Sequence, residues 1–557
     1  AVEFLGGLSY PTGVMPWKDG VLISAAPDIL MARDNDGDGR ADQVEKIYTG
    51  FVLANPQHRI NGFTYGLDHS LHLASGDNLG ELTSLITGKK INASGHDVQI
   101  WPDNGEIAVT SGRTQYVRSR NDWGEWFGND NSRPMYHFPI DDAYLQRNPA
   151  VRYSGSHQQL FDPPVAPPVF ALTSATERFN DLFAANRFTS ACSAIVARAP
   201  AFAADRESDL DVALICEPVH NLVHRAVLEP RGASYRAVRG PQEIDREFLR
   251  STDPWFRPVR AMMGPDGCLY IVDMYRETIE HPEWIPESWQ QQLDLYAGSD
   301  RGRIYRVRPD GVAAADLRLA TMTSGALVDE LRSPIGTRRD LAQQLIVERN
   351  DDAVTQKLVA MATSDDSPLA RVHAISILDV VDRLNADLLG QVLQSEHPGL
   401  LMVAIGRCEP RLSRHPELLD GLAKTARHSD PRVVMRTALA LGQIESPRAG
   451  EILAEIATDR ELDPWLVRAI SSSATPHAAT ILDRLLPEFG DHDGAAPTEF
   501  VTNLLLTLRD GGVDIVDRYG GVFARDDREF LNQIKLAGSF TRALRSQNSK
   551  KTATMFK

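Results

Sequence analysis

The stretch FRPVRAMMGPDGCLYIVD, residues 256–273, decides the fold. A short apolar run enters Pro-Asp-Gly, and a second run rich in β-branched and aromatic residues leaves it. That pattern reads as strand, tight turn, strand. The same phrase stands earlier as YPTGVMPWKDGVLISA (10–25) and INGFTYGLDHSLHLAS (60–75). DVALICE (211–217) is a further strand-like run. A strand–turn–strand unit repeated at irregular spacing is the pattern of propeller blades with insertions, and three copies favour radial repetition over a sandwich.

Beyond Pro309 the texture changes. Ala, Leu, Arg and Asp dominate, and apolar residues recur at three and four. Pro334, Pro368, Pro398, Pro431 and Pro464 mark a period of 30–34 residues. Proline opens a helix well because its missing N–H would be unpaired there, and the Ser, His or Asp before it is a candidate cap. Helix pairs at this period stack into a solenoid. The reading is a multidomain chain, β then α: a β-propeller over 1–309, a HEAT-like α-solenoid over 310–545 and a polar tail over 546–557.

Composition excludes several functions. The 557 residues hold 59 Lys and Arg against 75 Asp and Glu, a formal net charge of −16. A phosphate-binding surface shows a basic excess, so nucleic acid is not an expected partner, nor is anionic lipid. No run approaches the roughly 18–20 apolar residues of a membrane helix, so no transmembrane span is expected. Cys192, Cys216, Cys268 and Cys408 are far apart. Without CxxC there is no thiolate zinc pattern, and without CxxCH no covalent haem. They read as buried thiols. The chain opens on Ala1 rather than methionine, which reads as a removed leader or a piece of something longer.

Residues 34–45, DNDGDGRADQVE, have the spacing of a calcium loop. Asp34, Asp36 and Asp38 take positions 1, 3 and 5, Gly39 the sharp turn, Arg40 a backbone carbonyl, Asp42 position 9 and Glu45 position 12. These oxygens would saturate a calcium ion and leave no open position, so the ion would be structural, not catalytic. The flanks read as strands, so it would pin a hairpin.

Three polar and aromatic clusters are candidates for ligand chemistry. The stretch 111–137 offers Arg113, Trp123 and Trp126 as a sugar-gripping set of cation and ring faces. CEPVHNLVHR (216–225) places His220 and His224 four apart, on one face of either a helix or a strand. The stretch 273–289 offers Asp273, Tyr275 and Arg276 after a strand, where propeller loops line the funnel. Packed histidines and a salt-bridged insertion are the structural alternatives.

The segments PDILMARDNDGDGRAD, SGRTQYVRSRNDWGEWFGNDNSRPMYH, FTSAC, CEPVHNLVHR, STDPWFRPV, GPDGCLYIVDMYRETIEHPEWIP and DRGRIYRVRP together resemble the membrane-bound dehydrogenase family of planctomycete and verrucomicrobial bacteria, also called PVC-type haem-binding CxxCH proteins. The resemblance runs over residues 1–309 in order. It implies an exported, periplasmic or extracellular protein with a propeller akin to quinoprotein sugar dehydrogenases, helical repeats after it, and a cytochrome c domain or partner. The chain departs from the pattern in lacking the cytochrome domain and in starting after what the resemblance implies is a first blade.

The functional expectation is oxidation or binding of a sugar, a polyol or another polar small molecule. His220 or His224 would take the hydroxyl proton, Arg257 or Arg276 would stabilise the developing charge, and a quinone would accept hydride, although no quinone motif is visible. The alternatives are a lyase or hydrolase on a propeller and a non-catalytic scaffold for carbohydrate or protein.

Overall fold

The structure, a computed structural model, describes residues 2–53, 55–76, 79–153, 155–173, 185–203, 210–280, 282–310, 317–488, 498–523 and 537–543. The polar tail expected over 546–557 lies outside the described residues. The chain forms two compact units. One comprises Ala1–Pro139, His157–Arg231 and Tyr235–Arg383, the other Ile140–Ser156, Gly232–Ser234 and Leu384–Lys557.

The first unit contains a five-bladed β-propeller. Blade 1 has β1 (Gly13–Trp17), β2 (Gly20–Ala25), β3 (Asp28–Arg33) and β4 (Gln43–Thr49). Blade 2 has β5 (Asn61–Tyr65) and β6 (Leu71–Ala74). The hairpin β7 (Glu81–Ser84) and β8 (Lys90–Asn92) leaves it to extend the edge of blade 1, and β9 (Asp97–Trp101) and β10 (Glu106–Thr110) complete it. Blade 3 has β11 (Ser119–Arg120), β12 (Trp126–Gly128), β13 (Tyr136–Phe138) and β14 (Gln158–Gln159). The one-turn helix α1 (Asp142–Leu145), which comes between β13 and β14 in the chain, belongs to the second unit. Blade 4 has β15 (Cys192–Val196), β16 (Val212–Glu217), β17 (Leu222–Arg231), β18 (Ser234–Val238) and the short β19 (Leu249–Arg250). Blade 5 has β20 (Pro258–Met263), β21 (Leu269–Asp273) and β22 (Arg303–Val307), with α2 (Glu287–Gln290) inserted before β22.

Alternation explains why the strand runs read as continuously apolar. In blade 4, Ala194, Val196, Ala213 and Ile215 pack with Phe127 of blade 3. Cys192, Ile195, Leu214 and Cys216 pack with Ala261, Met263, Leu269 and Ile271 of blade 5. A sheet covered on both faces carries apolar residues at every position. Each such side chain contributes about 1.5–3 kcal/mol when fully buried.

Four helices belong to the same unit: α3 (Ser324–Glu330), α4 (Gly336–Arg349), α5 (Thr355–Ser364) and α6 (Pro368–Val380). The second unit continues with α7 (Ala386–Val392), α8 (Pro398–Cys408), α9 (Leu418–Thr425), α10 (Pro431–Leu441), α11 (Pro447–Thr458), α12 (Pro464–Ser472), α13 (Ala478–Glu488), α14 (Thr498–Asp510) and α15 (Ile515–Phe523). Helices α8, α10 and α12 stack in one row, and α11 packs on α13. The repeated prolines have the expected role. Pro368, Pro398, Pro431 and Pro464 open their helices, and Ser367, His397, Asp430 and Asp463 accept from the first-turn amides. Pro334 instead precedes the cap of α4. No helix among the described residues is long and apolar enough to cross a membrane.

Candidate functional site

One end of the propeller is closed by α4, which reaches the trailing end of the innermost strand of every blade. Gln344 donates to the Pro16 carbonyl beside β1 (3.1 Å), and Gln343 to Leu67 beyond β5 (3.0 Å). Arg120 at the end of β11 and Arg198 beyond β15 both pair with Asp340 (2.6 and 2.5 Å). Thr337 donates to the Met263 carbonyl at the end of β20 (2.9 Å). Asp122, in the β11–β12 turn, pairs with Arg339 (2.5 Å) and with Arg198. Burial pushes the Asp122 carboxyl up, but the two guanidiniums outweigh it and hold the group down at about 2. The same balance keeps Asp340 well below the usual carboxylate range.

The opposite end is tied by bonds between loops of different blades. Thr12 donates to Ile60 (2.6 Å), Asn61 to Gln115 (2.8 Å), and Gln57 to Ile279 beyond β21 (2.8 Å). Here the structure brings together His220, Arg257, Asp273, Tyr275 and Arg276, which come from blades 4 and 5. Arg257 donates to the carbonyls of Pro218 (2.9 Å), Arg276 (2.9 Å) and Glu277 (2.7 Å). Asp273 Oδ1 accepts the backbone amides of Arg257 and Tyr275, both at 2.8 Å. Arg276 donates to the Gly298 carbonyl (2.5 Å), and Arg303 lies 3.7 Å from the centre of the Tyr275 ring.

Arg257 and Arg276 tie loops together through carbonyls. The His220 nitrogens are both engaged: Nδ1 with Glu217 (3.1 Å), Nε2 as acceptor of the Asn186 amide (3.0 Å). His224 does not share its face. His220 falls in the turn between β16 and β17, whereas His224 lies inside β17, 1% exposed, bonded to Glu247 (2.6 Å) and packed between Phe161 and Phe188. The intervening turn breaks the four-residue spacing that either a helix or a strand would have kept.

The expected sugar-gripping set also separates. Arg113 precedes β11 and is exposed at the open end. Trp123 sits in the β11–β12 turn, next to the Asp122 that meets α4. Trp126 stacks on His72 of blade 2 at 3.7 Å, so its face is used between blades. A hairpin puts its turn one strand length from its entry, which is why residues close in sequence part company here.

In the 34–45 loop, carboxylate oxygens of Asp34, Asp36 and Asp42 lie within 4.8 Å of one another, a set that can hold a cation. Asp34 accepts the Gly39 (2.9 Å) and Gly37 (2.7 Å) amides, and the bond from Gly39 is foremost in lowering its carboxyl. Asp38 stands outside this set and accepts the Arg40 amide (2.8 Å). Glu45 is outside it too. Strand β4 begins at Gln43, and an extended backbone advances about 3.3 Å per residue. That carries Glu45 away to Arg33 (3.6 Å), where a helix would have folded it back.

The sequence reads the segment after Pro334 as one more repeat helix and gives no role to its contacts with the propeller or to Arg260. The signal for the role of α4 was polar: Arg338, Arg339, Asp340, Gln343 and Gln344 in one helix are too many for a solvent face alone. The signal for Arg260 was a charge inside the strand run PVRAMM.

Fold and site define a β-propeller followed by HEAT-type helical repeats. The chain belongs to the family described as a domain of unknown function, DUF7133, whose model matches residues 2–311. A HEAT-repeat model matches residues 386–475. No curated protein matches the chain. Among solved structures it is similar to a luciferin-regenerating enzyme, at 12% identity and a TM-score of 0.30, over 56% of this chain and 81% of that one.

The Asp273 contacts make a test that separates a positioning role from a catalytic one. Asp273→Asn keeps the Oδ1 acceptor and is expected to melt close to the parent. Asp273→Ala leaves two amides unpaired and is expected to lose about 2 kcal/mol by denaturant titration. Equal losses in both variants would show that the negative charge itself matters.

Proposed function

We propose that the propeller is a binding module for a small polar molecule of the carbohydrate class, taken up at the end opposite α4. The observation that carries this reading is the asymmetry of the two ends. One is filled by a helix bonded to all five inner strands, and the other gathers polar loops from several blades. Propellers bind where loops of different blades converge. Binding is favoured over proton transfer because both His220 nitrogens are already used.

The test is a thermal-shift and dye-reduction screen over sugars and polyols, with and without added quinone and calcium. The expected result is ligand-dependent stabilisation without dye reduction. Quinone-dependent reduction would overturn the binding reading in favour of the oxidoreductase.

We infer further that the 34–45 loop holds calcium in a structural role. Three converging carboxylates support this, and calcium accepts the irregular, larger coordination that magnesium resists. Calcium is expected to raise the melting temperature, chelator to lower it, and Asp36→Ala to abolish the difference. A parent melt indifferent to chelator would contradict it.

A further inference from the structure

Among the described residues, the deep arginines of this unit mostly pair with carboxylates. Arg118 meets Asp97 (2.8 Å), Arg120 and Arg198 meet Asp340, and Arg339 meets Asp122. Arg260, on the innermost strand of blade 5, has no carboxylate or carbonyl partner among the described residues; its electrostatic neighbours are the thiols of Cys192 and Cys216. Desolvation brings its guanidinium down to about 10.

Position makes this cation informative. The pairing of β20 with β21 is irregular between Pro258 and Arg260, which re-aims the side chain. Arg260 Nη1 comes within 3.4 Å of the point where a side chain at Gly62 would begin, and the Val117 Cα is 3.7 Å from that point. Gly62 begins the innermost strand of blade 2 and Val117 leads into that of blade 3. The guanidinium therefore reaches from blade 5 across the axis to Gly62, whose positive φ (+72°) favours glycine. It keeps partial solvent access. A second cation at the mouth is only partly satisfied. Arg59, three residues before Gly62 and 8% exposed, donates through Nη2 to the Leu53 carbonyl (3.0 Å), while Nε and Nη1 have no hydrogen-bond partners beneath the Tyr10 ring.

We propose that the axial channel binds a small organic acid, in the simplest case a sugar acid, whose carboxylate is held by the Arg260 guanidinium. The planar fork of arginine matches a carboxylate with two parallel bonds, and a half-buried cation without a counter-charge gains from an anion that supplies one. The proposal rests on the channel-mouth reading above and narrows its ligand from polar to anionic.

The test uses the full chain with galacturonate, galactose and inorganic phosphate as probes, by titration calorimetry at low ionic strength. The parent is expected to bind galacturonate at least tenfold more tightly than galactose or phosphate. Arg260→Met is expected to lose that preference while melting at or above the parent temperature without ligand, since it removes a half-buried charge that no carboxylate offsets. Gly62→Val is expected to weaken galacturonate by crowding the guanidinium, and Lys90→Gln, on the exposed outer strand β8, to leave it unchanged. Galactose bound in the channel with no gain for galacturonate would sink the anionic ligand and spare the channel reading. Phosphate preferred over galacturonate would overturn the organic acid. No binding by any probe together with an Arg260→Met variant that melts lower than the parent would overturn the unpaired-cation premise itself.

Discussion

Asp340→Ala is expected to cost about 3–5 kcal/mol, the range for removing one member of a buried ion network. Asp340 is shared by Arg120 from blade 3 and Arg198 from blade 4, so its loss leaves two cations facing each other with one anion, Asp122, nearby. Asp340→Asn is expected to recover part of the loss by keeping an acceptor. The pH dependence has a definite sign. The folded-state carboxyls of Asp122, at about 2, and of Asp340, lower still, lie below the unfolded value of about 3.9. Their stabilisation is full above that unfolded value and is lost as pH falls through the folded one. The parent melting temperature should therefore be steady near neutrality and fall steeply from about pH 4 towards 2. The Asp340→Ala profile should start lower and fall less. A parent-like melt for Asp340→Ala would mean that α4 is not held through this node.

Truncation carries the second large effect. A chain ending at residue 383 is expected to melt cooperatively with strand-type circular dichroism, because the compact unit runs to Arg383. A chain ending at 310 keeps every described blade strand but loses α4. It strips the caps from five inner strands and leaves Arg120, Arg198 and Asp122 without partners from that helix. It is expected to be poorly soluble or to melt non-cooperatively. Equal stability of the two chains would show α4 to be an ornament on a self-sufficient propeller.

The strand phrases and the proline period were legible because they rest on local rules: turn chemistry at Asp-Gly, alternation, and proline at the helix start. The site was legible only in part. His220, Arg257, Asp273, Tyr275 and Arg276 do converge, since each stands at or beside a strand end and propeller topology returns these ends to one place. Their use as loop ties could not be read, because carbonyl acceptors leave no mark in a sequence. Trp123 and Arg113, ten residues apart, went to opposite ends of blade 3 because a hairpin intervenes. Glu45 had the right number in a twelve-residue loop but the wrong backbone, a strand where the spacing assumes a helix. Asp340 acts through partners more than 100 residues away in sequence, so only the assembled fold reveals it.

The central claim is that α4 closes one end of the propeller and leaves the other as its working mouth. Hydrogen exchange of the amides over 336–349, in the full chain at neutral pH, tests it most directly. Helix α4 should exchange as slowly as β5, β15 and β20, through the same opening, and Asp340→Ala should speed all of them together. An α4 that exchanges orders of magnitude faster than those strands, with the strands unaffected by Asp340→Ala, would contradict the account.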